Sequence, residues 1–102
     1  MAIVLMQTLP EGATWEQVLE VSAELDAQLN PPEGLIVHTV IEDGGRIKVV
    51  DVWESEEQHD DFVEARLRPA IATVFARRGI DPTSMPQPED IVYEAHDVVR
   101  GA

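Results

Sequence analysis

The sequence predicts an α+β domain whose elements run strand, helix, strand, strand, helix, strand, and three observations carry that prediction. Apolar runs of strand length, bounded by turn residues, occupy 2–9, 35–42, 46–53 and 90–98. Two capping boxes, Thr14-Trp15-Glu16-Gln17 and Ser55-Glu56-Glu57-Gln58, open helical patterns after the first and third of these runs. Between the middle two runs stands Asp43-Gly44-Gly45, a strong hairpin signal. This order folds as the split βαβ, ferredoxin-like arrangement: a four-stranded antiparallel sheet with both helices on one face.

Each element has its own start and stop. Strand one, Ala2 to Leu9, ends at Pro10-Glu11-Gly12. Helix one begins at Thr14 with Glu16 near its positive end, and its apolar stripe is Val18, Val21, Leu25 and Leu29. Glu16, Glu20 and Glu24 fall on the opposite, solvated face, and Asn30-Pro31-Pro32 stops the helix. Helix two begins at Ser55 and presents Phe62, Leu67, Ile71, Val74 and Phe75 to the core. Arg77-Arg78 and then Gly79 close it, and Pro69 inside it predicts a kink near Ala65–Arg66. Pro82, Pro86 and Pro88 make 80–89 an extended loop before strand four, which carries Tyr93 and His96 on opposite faces.

Composition narrows the classes of function. A chain of 102 residues is read as a single domain, 1–102, able to bury roughly two-thirds of its unfolded surface. It has no cysteine, which excludes disulfides, thiolate zinc sites and a cysteine nucleophile. Its net charge of −13, from 20 acidic and 7 basic residues, argues against nucleic acid and against an anionic membrane surface. No apolar run approaches the roughly 20 residues of a membrane span. The first residues read as a strand without the basic flank of a signal peptide. These points together predict a soluble, cytoplasmic protein.

The first two strands are apolar on both faces. Val4 and Met6 oppose Ile3 and Leu5, while Leu35, Val37 and Ile41 oppose Ile36 and Val40. One layer of helices covers one face of a sheet, so the other face predicts a second copy of the chain.

The element order, Pro32-Glu33-Gly34-Leu35-Ile36 at the second strand, and Trp53-Glu54-Ser55 at the strand–helix junction resemble the dimeric α/β-barrel superfamily. The nearest branch is the antibiotic-biosynthesis-monooxygenase-like proteins. The resemblance implies a homodimer with sheets face to face and a ligand cavity between each sheet and its helices. It also implies a choice of activities, among them cofactor-independent oxygenation of quinols and polyketides, cyclisation and haem degradation.

His38 is the sharpest chemical candidate, an imidazole inside an apolar strand. With a two-residue Gly44-Gly45 loop, His38 opposes Asp51 and Ile36 opposes Trp53; with a three-residue loop, His38 opposes Val50 instead. A neighbouring carboxylate would orient the ring and raise its pKa, as a general base needs. The competing reading is a structural histidine, hydrogen-bonded in the core or lodged in the dimer interface. By the resemblance, Trp53 shapes the cavity, and Phe62 stands where haem-degrading relatives place a histidine nine residues after it. Gln7 matches the place of a polar asparagine in those relatives, while Leu67 belongs to the helical wall. His59, in the acidic first turn of helix two, reads as exposed, and no metal, haem or other cofactor is expected. The chain is therefore expected to bind a small apolar or aromatic ligand, with His38 and Asp51 catalytic and Trp53, Phe62, Leu67 and Gln7 around the ligand. The alternative is a non-catalytic ligand-binding or protein-interaction module.

Overall fold

The computed structural model describes residues 1–102, the side chain of Pro82 apart. Its sheet is set by the central hairpin. Gly44 and Gly45 adopt φ of 59° and 85°, the left-handed pair of a type I′ turn, and Asp43 pairs with Arg46 across it. The loop is thus the two-residue one. Strands β1 (Ile3–Thr8), β2 (Leu35–Asp43), β3 (Arg46–Trp53) and β4 (Glu89–Glu94) form one antiparallel sheet in the order β2-β3-β1-β4. That is the expected ferredoxin-like topology.

Two boundaries and one strand register differ from the sequence reading. Helix α1 spans Trp15–Leu25 and ends at Asp26, whose φ of 53° and backbone N–H to Ser22 close it early. Leu29 is consequently 82% exposed instead of continuing the apolar stripe. Strand β4 stops at Glu94, so His96 lies beyond the sheet and shares no strand with Tyr93. In β2 a bulge between Leu35 and Val37 absorbs Ile36, so Leu35, not Ile36, opposes Trp53.

The second helical segment shows how the chain accommodates Pro69. Helix α2 (Glu56–Phe62) passes into a wide π turn at Val63–Leu67 and resumes as α3 (Arg68–Arg78). A proline offers no N–H to the preceding turn, and the widened ladder, with Arg68 N–H on the Val63 carbonyl, absorbs the loss. The irregularity falls around the predicted Ala65–Arg66 site. The two caps also differ. Thr14 and Gln17 form a reciprocal box, whereas the Gln58 side chain accepts from the Ser55 hydroxyl and leaves the Ser55 backbone N–H free of it.

Pairing register separates the two faces. Ile3, Leu5, Ile47, Asp51 and Trp53 share the helix side and are all buried. Helix α3 adds Ala70 and Val74 to this core. Glu20 and Glu24 do not form the expected free acidic face. They meet Arg78 at 3.1 Å and Arg77 at 3.2 Å, clamping α1 onto α3. On the other face Val4, Met6, Val37, Ile41, Val50, Val52, Ile91 and Tyr93 lie on adjacent strands, and Met6, Val37, Ile41, Ile91 and Tyr93 are exposed. No helix among the described residues is long and apolar enough to cross a membrane.

Gly34 joins β2 to α2 at close quarters. Its φ is 89°, and a Cβ there would stand 2.5 Å from Gln58 Cδ and 2.8 Å from Gln58 Cβ. Its carbonyl accepts from Glu54 N–H at 2.7 Å. Replacing Gly34 by Ala should lower unfolding free energy by about 1–3 kcal/mol from backbone strain, with the clash added. Urea titration should show a larger loss than for Gly45→Ala, where an added Cβ meets nothing within 4 Å.

Candidate functional site

The two-residue turn brings His38 opposite Asp51. Alternation along β3 then puts Asp51 and Trp53 on one face, two residues apart. Each Asp51 oxygen has a donor: His38 Nδ1 lies 2.7 Å from Oδ1, and the Trp53 indole N–H donates to Oδ2 at 3.2 Å. The carboxylate is 9% exposed and the imidazole 46%. One end of the pair is thus in the core and the other opens to solvent on edge strand β2.

An ionised carboxylate only accepts, so neutral His38 carries its proton on Nδ1 and leaves a lone pair on Nε2. The hydrogen bond to Asp51 raises the His38 pKa above the ordinary imidazole range. Partial burial opposes that rise, and the charge of Asp51 adds to it. Orientation, tautomer and raised basicity are the three properties a general base needs.

Trp53 is 1% exposed and packs as a core anchor at the end of β3. Two rings of α2 hold it. His59 stands edge-on, with centroids 5.3 Å apart at 76°, and Phe62 is tilted at 5.4 Å. His59 is accordingly not the exposed residue expected: its side chain is 14% exposed, with Nδ1 3.2 Å from Asp60 Oδ1. The signal was in the spacing, since His59 and Phe62 are three apart and share a helix face.

The remaining expected ligand residues scatter. Gln7 is on the helix side of β1 but pairs with Val49, one pleat along from the Leu5–Asp51 pair. Leu67 is half-buried in the π turn. Phe62 lines a cleft of about 240 Å³ with Pro32, Glu33, Gln58, Asp61 and Arg66. A second cleft of about 230 Å³ lies between α1 and α3, and neither reaches His38. Sequence reasoning missed Arg66, which borders both clefts. Its guanidinium donates to the Leu25 and Asn30 carbonyls at 2.9 Å and sits 5.7 Å over the Phe62 ring. Among the described residues no three His, Asp or Glu side chains converge as a metal site would require.

No protein-family model and no curated protein matches the sequence. Solved structures do. An antibiotic biosynthesis monooxygenase superposes with a TM-score of 0.62 at 13% identity, over 95% of this chain and 100% of that one. The chain shares its ferredoxin-like fold with that protein. SnoaB, a cofactor-independent oxygenase from Streptomyces nogalater, gives 0.59 at 16% identity over 96% and 95% of the two chains. A protein of Caulobacter crescentus CB15, provisionally assigned as an antibiotic biosynthesis monooxygenase, gives 0.62 at 17% over 94% and 91%. At these identities the likeness concerns architecture.

The raised His38 pKa has a signed consequence for stability. The folded state binds the imidazole proton more tightly than the unfolded chain does. The resulting stabilisation is complete below about pH 6.5 and is lost as pH rises through the folded pKa. His38→Ala should therefore lower the melting temperature more at about pH 5.5 than at about pH 9, measured by differential scanning fluorimetry.

Proposed function

We propose that the protein is a homodimeric α/β-barrel protein that binds an aromatic or polyketide-like molecule, with His38 as its general base. The observation that carries this reading is the 2.7 Å contact between the half-exposed imidazole and a buried carboxylate. Nε2 removes the proton of an acidic hydroxyl, and the imidazolium that forms stays paired with Asp51. The phenolate or enolate left behind is electron-rich enough to react with dioxygen or to cyclise, which makes a cofactor-independent oxygenation or cyclisation the matching chemistry. Support comes from the fold shared with SnoaB, itself a cofactor-independent oxygenase. Phe62 and Leu67 supply apolar contact, and Gln7 a polar group on the same side of the sheet.

The test uses oxygen uptake with a panel of polycyclic phenols and quinols. Wild-type rates should rise with pH as His38 loses its proton. His38→Ala should lower them about 10²–10⁴-fold while the protein stays folded. Asp51→Asn should lower them too, because an amide can donate to Nδ1 and place the imidazole proton on Nε2. Undiminished turnover in His38→Ala would contradict the base assignment.

The homodimer forms through the sheet face away from the helices in this reading. Five exposed large apolar side chains on adjacent strands leave a surface that water solvates poorly. Light scattering should give twice the chain mass of about 11 kDa, and Val50→Asp should reduce it to that of one chain.

A non-catalytic binding module is the second reading, and one observation favours it: the cleft at Phe62 and Arg66 does not include His38. Ligand held there with unchanged affinity in His38→Ala, and without turnover, would select this reading.

A further inference from the structure

We infer that Trp53 is a positioning residue for the His38 base: its indole N–H fixes one oxygen of Asp51 and thereby holds the other on Nδ1. The inference rests on the base assignment above and adds the element that makes the base rigid. A carboxylate turns broadly about its last side-chain bond, so a single donor at Oδ1 leaves it free to swing. The second donor, at 3.2 Å from Oδ2, removes that freedom.

The indole is itself immobile. It is buried, with the His59 edge and the tilted Phe62 ring against it, so α2 braces Trp53, Trp53 braces Asp51, and Asp51 braces His38. A base on a half-open edge strand gains its orientation from the core through this chain of contacts. Catalytic geometry needs to be held within about 0.5 Å, which one flexible contact at a sheet edge does not provide. Among other ionisable groups, Glu42 shares the face of β2 four residues along from His38, and His59 and Asp60 on α2 engage each other.

The experiment follows the His38 ring by ¹H–¹⁵N correlation spectroscopy through a pH titration, in the wild-type protein and in Trp53→Phe. Phenylalanine keeps a buried aromatic ring and deletes the donor. The variant should show a smaller share of neutral His38 protonated on Nδ1, and a titration midpoint moved back toward about 6.5. An Nδ1–H share and midpoint equal to wild type, with only the melting temperature lowered, would overturn the inference and leave Trp53 a packing residue. If Trp53→Phe fails to fold, benzothienylalanine at position 53 decides the matter, since it keeps the indole shape and replaces N–H by sulfur. No substrate enters this readout. An unchanged ring in the variants removes the positioning role and leaves the base intact, whereas full turnover in His38→Ala removes the base and leaves the indole contact as measured.

Discussion

A carboxylate buried in the second strand from the sheet edge has to be met by donors, and the helix side of this protein is arranged around that need. An ionised Asp51 without partners would lose several kcal/mol of solvation. His38 from β2 and Trp53 from β3 each meet one oxygen. The two partners differ in exposure, so the charge is shared between a core group and a group open to solvent. In the proposed reading that asymmetry turns a structural requirement into a chemical resource. The buried indole holds the carboxylate, and the half-open imidazole keeps a free nitrogen.

The two faces of the sheet carry different duties. On the helix side, the core of Ile3, Leu5, Ile47 and Trp53 surrounds one ion-paired group. The other side is mainly aliphatic, with Tyr93, Thr39, whose hydroxyl bonds the Val50 carbonyl at 2.7 Å, and an exposed Lys48–Asp43 ion pair at the hairpin end. Pairing a second copy on that face would leave His38 accessible, because the imidazole projects from the opposite one. The proposed assembly and the proposed chemistry are therefore compatible on geometric grounds.

Much of this was legible in the sequence because it depended on local rules. Thr14, Ser55, Gly79 and the Gly44-Gly45 turn mark element ends whatever the tertiary context. The His38–Asp51 pairing was one of two registers, and only the turn geometry chose between them. What stayed hidden depended on contacts between distant segments. The early end of α1 at Asp26 breaks no visible pattern, since Leu29 continues the apolar spacing. The bulge at Ile36 lies in a largely β-branched run that gives no sign of it. Glu20 and Glu24 look solvated until α3 brings Arg77 and Arg78 against them, and His59 looks exposed until Trp53 packs beside it. Arg66 reaches chain more than 30 residues away, which no local pattern encodes.

The central claim is that His38 and Asp51 act as one coupled unit. A double-mutant cycle with His38→Ala, Asp51→Asn and the pair together, followed by urea unfolding, measures that coupling directly. The account predicts a favourable interaction energy at about pH 6 that shrinks by about pH 9, as the imidazolium gives way to neutral imidazole. Strictly additive losses at both pH values, or a coupling that grows as pH rises, would contradict it.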